Sequence, residues 1–181
     1  MAVALRTLGD EFESPKYAHV ERERRWRVDP KLRPELDSVS YVVIEDRYIR
    51  GTRLRLRRMT AQDVQSHKLT KKYEADDPQA RLIVTAYLTP DEYALLASLE
   101  AEPLAKRRYS LTLDGLDWSL DRFAGPLEGL ELLEVEAPDA AVLGALRPPQ
   151  WASAEVTADR RFDGASLAAN GLPEDRSCPE S

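Results

Sequence analysis

The chain has 181 residues, 43% of them hydrophobic and 32% charged, which suits one soluble domain with a real core and leaves many charges to place. Its formal net charge of −6 argues against nucleic acid or anionic lipid as partners of the whole molecule, so any polyanion site must be a local concentration of Arg and Lys. No apolar run approaches a membrane span, the opening MAVALRTLGDEFES lacks a signal-peptide pattern, and the lone Cys178 rules out an intrachain disulfide; a cytoplasmic setting is expected.

Taken in chain order, residues 1–17 read as a polar lead-in, 18–168 as the folded domain and 169–181 as a loose tail rich in Pro and Asn-Gly signals. The dominant period inside the domain is two. It predicts strands over 18–28, 39–50, 52–58, 66–74, 80–88, 105–113, 116–124 and 129–137. Asp114-Gly115, between two of these, is a two-residue hairpin signal. A helix is expected over TPDEYALLASLEAEP, with Thr89 as N-cap, Pro90 in the first helical position and Glu92 completing a capping box. A second is expected over 138–146, ending before Pro148-Pro149, and PKLRPELD (30–37) reads as a short third. Many strands with hairpin turns and few helices point to an antiparallel sheet, open or closed.

The phase of the charges carries the functional signal. Glu21, Glu23 and Arg25 share one face of the first strand, and Arg53, Arg55 and Arg57 share one face of the third. Lys68 and Lys72 flank Thr70, Lys106 and Arg108 sit in AKRRYSL, and Glu134 and Glu136 share a face in LELLEVEA. Leu54, Leu56, Leu82, Val84, Leu133 and Val135 back these rows, so one face of the sheet is apolar and the other ionic. A solvated face mixes Lys with Glu; RLRLRR and KLTKK are almost purely basic, and such rows repel unless a polyanion or facing carboxylates offset them. Carboxylates supply oxygens for a hard cation, and Arg and Lys supply donors for phosphate, so the pattern suits a metal–polyphosphate site. Trp26 and Trp118 fall in the opposite phase and read as outer packing. His19 and His67 are isolated and read as surface residues.

In order and spacing these motifs resemble the CYTH, or triphosphate tunnel metalloenzyme, superfamily. Glu21-Arg22-Glu23-Arg24-Arg25 matches its ExExK opening with Arg for Lys, and Arg55 and Arg57 match its RxR strand. Leu69-Thr70-Lys71-Lys72 matches the apolar-Thr-x-Lys strand, and Lys106-Arg107-Arg108-Tyr109 the KxRY strand. DRFAGPLEGLELLEVE gives Asp121, Glu134 and Glu136, and Glu155 to Phe162 resembles the closing EVTxDxRY. The resemblance implies an α+β, mainly antiparallel fold: an eight-stranded closed β-barrel with a few flanking helices and its charges inside.

It further implies a metal-dependent hydrolase of inorganic triphosphate or a related linear triphosphate, short and bacterial in type. Glu21, Glu23, Glu134 and Glu136 would hold Mg²⁺ or Mn²⁺, with Glu21, Glu23 and Glu136 catalytic. Arg25, Arg55, Arg57, Lys72, Lys106, Arg108 and Arg160 would hold phosphate, and Asp121 would fix one of the Arg groups. Arg53 and Lys68 share the phase of the site but not the core motifs, so a rim or solvated role fits them as well, and Arg160 or Arg161 would close one mouth. The implied partner is a small triphosphate, with neither nucleic acid nor membrane, as monomer or homodimer. The alternatives are a class IV-like adenylate cyclase, for which no adenine pocket is visible, and a non-catalytic polyphosphate or nucleotide-binding module. Two departures stand out: Ile83 and Thr85 occupy the phase where short bacterial members carry ExE, and Arg25 replaces a Lys.

Overall fold

The computed structural model describes residues 17–174. The expected lead-in before Tyr17 and the end of the expected tail, with Cys178, lie outside the described residues. Nine antiparallel strands form one sheet: β1 (His19–Val28), β2 (Tyr41–Ile49), β3 (Leu54–Ala61), β4 (Val64–Lys72), β5 (Ala80–Leu88), β6 (Ala101–Leu113), β7 (Leu116–Phe123), β8 (Glu131–Glu136) and β9 (Ala152–Glu155). Their order is β5-β4-β3-β2-β6-β7-β8-β1-β9, and β5 also pairs with β1. The first eight therefore close on themselves as a barrel, and no edge of that ring is left open.

β1 is the closing strand. On one side it pairs with β8, from Glu23 opposite Glu136 to Arg27 opposite Leu132. On the other, residues 19–22 pair with β5, after which β9 takes over the same edge from Trp26 onward. β9 was not expected as a strand, because four residues after a Pro-Pro turn carry too short a pattern to read.

The helices are α1 (Pro90–Leu96), α2 (Ala140–Ala145) and α3 (Gly164–Asn170). α1 has the expected capping box: the Thr89 hydroxyl accepts from Glu92 N and the Glu92 carboxylate accepts from Thr89 N. It is shorter than the sequence suggested, since Ala101–Pro103 already belong to β6, where pairing to Ile49, Tyr48 and Arg47 outweighs helix propensity. Asp139 caps α2 by accepting from Val142 N at 2.8 Å. The short helix expected over 30–37 is absent; the segment is turn and extended chain that seats Leu36 in the core. Asp114 and Gly115 both have positive φ (51° and 77°), as a two-residue hairpin linking β6 to β7 requires. α3 runs on to Asn170, past the domain boundary expected at 168. No helix of the described residues is long and apolar enough to cross a membrane.

Two apolar clusters position the tunnel. The first wraps the outer face of β1, β6, β7 and β8, where Trp26, Trp118, Leu120, Leu133 and Val135 meet Leu36, Leu143 and Trp151 from the connections. The Trp26 and Trp118 rings lie 5.5 Å apart, so both are outer packing, as their phase indicated. Each such side chain contributes about 1.5–3 kcal/mol by leaving water. The second cluster is inside: Leu104, Phe123 and Leu132 on the strands meet Phe162 and Leu167 at the start of and within α3's segment. It fills one end of the barrel and makes a floor. His67 is not a surface residue: it is buried, with its ring 4.5 Å from that of Tyr93 on α1.

Candidate functional site: a charged tunnel

Strand alternation sends one residue in two into the barrel, and the register shows which. Across β2 and β3, Asp46 faces Arg57 and Tyr48 faces Arg55. Across β6 and β7, Arg108 faces Asp121, and across β1 and β8, Arg25 faces Glu134. Above the floor these rows enclose a cavity of about 660 Å³. Ten Arg and Lys side chains and six carboxylates line it. Asp46 and Asp121 lie behind that lining, so the interior keeps an excess of cations inside an acidic chain.

Arg57 donates two hydrogen bonds to Asp46, at 2.6 and 2.7 Å, a bidentate pair that fixes the guanidinium plane. Asp46 is 2% exposed. Burial alone would raise its pKa, but the bond and charge of Arg57, with Arg55 and Lys106 nearby, hold it below the usual carboxylate range. Asp121, 0% exposed, accepts from Lys106 and from both Nε and Nη2 of Arg108, at 2.7 and 2.6 Å for the latter pair. Arg108 also reaches Glu134 at 2.8 Å, and Arg25 reaches the same carboxylate at 2.7 Å. Glu134 is half-buried, and the desolvation that would raise its pKa is outweighed by Arg25, Lys106 and Arg108, which hold it well below the usual range. Burial pushes the Lys106 ammonium down, against the pull of Asp121.

The opposite wall is acidic. Glu21 accepts from Lys72 at 2.6 Å, and Glu23 accepts from Arg25 at 3.0 Å. Lys72 with Arg55 outweighs burial and lowers the Glu21 pKa. Glu136 stands directly across from Glu23 and, among the described residues, makes no salt bridge. Burial raises its pKa, and the charges of Glu21, Glu23 and Glu134 raise it further. On β5 the inward row is Arg81, Ile83, Thr85 and Tyr87. Thr85 and Thr70 share a hydrogen bond at 3.0 Å, so this wall offers hydroxyls where the resembling family offers carboxylates.

Two chains with curated functions align with part of this sequence. An inorganic triphosphatase of Acetivibrio thermocellus is 35% identical over 71 residues, 39% of this chain and 44% of that protein. An inorganic triphosphatase of Nitrosomonas europaea is 41% identical over 75 residues, 41% of this chain and 50% of that protein. The chain thus spans half or less of the length of the curated relatives it matches. No family model matches. The crystal structure of the inorganic triphosphatase NE1496 superposes with a TM-score of 0.57 and 26% identity, covering 85% of this chain and 97% of that one. The chain is thus similar in part of its sequence to inorganic triphosphatases and shares the barrel fold of one of them. The PH1819 protein of Pyrococcus horikoshii, at 19% identity and a TM-score of 0.50, shares the fold alone.

Within this tunnel the structure brings together Glu21, Glu23, Arg25, Arg55, Arg57, Lys72, Lys106, Arg108, Glu134 and Glu136, all lining the one cavity. Asp121 sits behind Lys106 and Arg108 and braces both. Arg53 and Lys68 also line it, with Arg53 paired to Glu74 at 3.4 Å and Lys68 lying 5.0 Å from the Tyr87 ring centre. Arg160 borders the cavity but is 70% exposed and paired to Glu74 at 3.7 Å, which makes it a rim residue. Arg161 turns back to Asp159 at 2.6 Å and does not line the cavity. Among the described residues no three His, Cys, Asp or Glu side chains are grouped to hold a metal ion; Glu21 and Glu23 are drawn to Lys72 and Arg25 instead.

Three residues escaped the sequence reading. Asp46 was hidden in YVVIEDRYI, where Glu45 beside it and apolar residues in both phases obscured the inward face. Tyr48, in the same row, was passed over as a strand aromatic. Asp163, which pairs with Arg81 at 2.9 Å and stands 3.7 Å from Arg25, comes from the segment before α3 and has no periodic signal.

Proposed function

We propose that the tunnel hydrolyses inorganic triphosphate, or a related linear triphosphate, with a divalent cation. The observation that carries this reading is the row Arg55, Arg57, Lys106 and Arg108. These four cations line one cavity, with carboxylates bonded behind three of them and a buried Arg55 Nε that has no hydrogen-bond partner among the described residues and lies 3.9 Å from Asp46. An orphaned guanidinium donor in a polar cavity suits a phosphate oxygen. The matched relatives are named inorganic triphosphatases, and so is the NE1496 structure, which supports the same substrate class.

The acidic wall fits a hard cation. Glu23 opposes Glu136, and Glu136 is held protonation-prone by burial and by its acidic neighbours, a repulsion that a divalent ion would relieve. Glu21, Glu23, Glu134 and Glu136 offer oxygen only, which favours Mg²⁺ or Mn²⁺. Bound there, such an ion supplies charge neutralisation to phosphate oxygens and a lowered pKa to water.

The residues of the chain do the rest. Arg55, Arg57, Lys106 and Arg108 hold successive phosphate oxygens and keep the chain in line; Asp46 and Asp121 keep three of those groups from moving as charge shifts. Lys72, Arg25 and Arg160 extend the same grip toward the acidic wall and the rim. In hydrolysis the water oxygen bonds to a terminal phosphorus as the bridging P–O bond breaks, giving orthophosphate and pyrophosphate, and the basic wall takes up the charge that appears on the departing oxygen. We place the protein in the cytoplasm, with no nucleic-acid or membrane partner.

The test is phosphate release by the purified chain from tripolyphosphate and from ATP, with Mg²⁺, with Mn²⁺ and with chelator. Orthophosphate and pyrophosphate from tripolyphosphate only with metal supports the reading; cyclic AMP from ATP would replace it. A second reading, a non-catalytic triphosphate-binding module, is favoured by the hydroxyl-lined β5 wall and by the ion pairs that engage Glu21 and Glu23. Tripolyphosphate binding without metal-stimulated turnover would select it.

A further inference from the structure

Gly164, the first residue of α3, meets Tyr48 at the tunnel floor. Its φ is not in the left-handed region, so its backbone does not call for glycine; the space around it does. A Cβ at Gly164 would lie 1.9 Å from the Tyr48 hydroxyl oxygen and 2.9 Å from Cζ, and no side chain can be accommodated there without displacing the phenol. None of the other described glycines has anything within 4 Å of such a Cβ.

Tyr48 is fixed on its other sides as well. Its ring packs against the floor cluster that contains Leu104, Phe123 and Leu167. The β2–β3 register sets it directly opposite Arg55, and both side chains line the tunnel. Burial, with the charge of Asp46, pushes that hydroxyl up to about 12, so it stays neutral at any working pH. Arg55 differs from its neighbours in this respect. Arg57, Lys106 and Arg108 are each bonded to a buried carboxylate, whereas Arg55 comes no nearer than 3.9 Å to Asp46. A neutral phenol can accept from a guanidinium without cancelling its charge.

We propose that Gly164 and Tyr48 act as a positioning pair: the glycine leaves the gap that the phenol hydroxyl fills, and the phenol aims Arg55, which no carboxylate of the described residues hydrogen-bonds, at the phosphate chain. The proposal rests on the triphosphate reading of the cavity, but the aim of Arg55 can be observed without substrate. It also ties the seating of α3 to the basic wall, since moving the first residue of the helix moves the brace of a tunnel cation.

The experiment uses the full chain labelled with ¹⁵N, with the Arg55 Nε–H resonance assigned by its loss in Arg55→Lys. Tyr48→Phe and Gly164→Ala are both expected to shift that resonance while the Arg33 resonance, held by Glu131 outside the tunnel, stays in place. In turnover of tripolyphosphate, both variants should raise KM by about tenfold and change kcat by less than about twofold, the size expected for one lost charge-assisted hydrogen bond. Gly164→Ala should also lower Tm by less in a Tyr48→Phe background than in the native one, because the atom it strikes first is gone. An Arg55 resonance unmoved by Tyr48→Phe in a folded chain overturns the proposal, even if Gly164→Ala does not fold. Absence of turnover in the native chain would instead count against the triphosphatase reading, with the resonance shift still deciding this one.

Discussion

The two walls of the tunnel solve the problem of buried charge in opposite ways. On the basic wall three of the four central cations have a protein carboxylate behind them: Asp46 holds Arg57, and Asp121 holds Lys106 and Arg108. These pairs are complete within the chain and leave their outer donors toward the cavity. On the acidic wall Glu23 faces Glu136 across a strand pair, and Glu136 has no cation of its own. Glu21, Glu23 and Glu134 are paired to Lys72, Arg25 and Arg108, so on this wall Glu136 alone is left over among the described residues. The difference teaches that the proposed metal–triphosphate site would need opposite preparation in its two halves, rigid donors for phosphate and a spare acceptor for the ion.

The largest expected effect comes from breaking the acidic wall. Glu136→Ala and Glu23→Ala should each lower metal-dependent turnover of tripolyphosphate by about 100-fold or more, since a removed carboxylate takes a ligand position with it. Thermal unfolding separates loss of site from loss of fold: Glu136→Ala should not lower Tm, because it relieves burial and repulsion that already raise the Glu136 pKa. Turnover within a factor of two of native in both variants would remove this wall from the reaction.

The next effect belongs to the basic wall and is structural. Asp46→Ala leaves Arg57 buried without its partner, which costs about 3–5 kcal/mol and should appear as a lower urea midpoint. The pH dependence follows from the sign. Asp46 and Glu134 are held below their unfolded values, so their pairs contribute stability that is fully present above the usual carboxylate range and is lost as pH falls through the lower folded values. Native stability should therefore decline as pH drops below about 4, and Asp46→Ala should show a shallower decline there. An equally steep acid decline in the variant would mean that Asp46 is not what the pair depends on.

These contrasts mark what the sequence could and could not reveal. The eight barrel strands and the inward rows were legible because alternation over six to thirteen residues leaves only one choice of face. So were Glu21, Glu23, Arg57, Lys106 and Glu134, each in a row of like residues. Asp46 was not, because it stands beside Glu45 and only the closed register shows which of the two faces Arg57. β9, Asp163 and the contact of Gly164 with Tyr48 were beyond reach: each depends on where the chain after Pro149 returns to the barrel, and no local period encodes that. His67 was misjudged for a similar reason, since its cover comes from α1, which is distant in sequence from β4.

A smaller effect is expected from a single phosphate donor. Arg55→Ala should raise KM for tripolyphosphate by about tenfold at low salt, within the worth of one charge-assisted bond. The cavity is open to water, so added salt should compete with phosphate for the basic wall, and the difference between variant and native should shrink as ionic strength rises. A difference independent of salt would point to lost packing in place of lost charge.

The smallest effect sharpens the comparison by testing a third wall. β5 presents Ile83 and Thr85 to the tunnel, and the Thr85 hydroxyl is engaged with Thr70 at 3.0 Å. Such a side-chain bond is worth about 0.5–1.5 kcal/mol, so Thr85→Ala should lower stability by about that much. If β5 only closes the barrel, turnover and metal dependence should not change. If instead the hydroxyl pair orients a cation's water, the half-saturating Mg²⁺ or Mn²⁺ concentration should rise while KM for tripolyphosphate stays fixed. The geometry favours the first outcome, because the two hydroxyls bond each other and the carboxylate without a partner, Glu136, belongs to β8, on the far side of β1 from β5. Thr85→Ala thus asks whether the tunnel has two working walls or three.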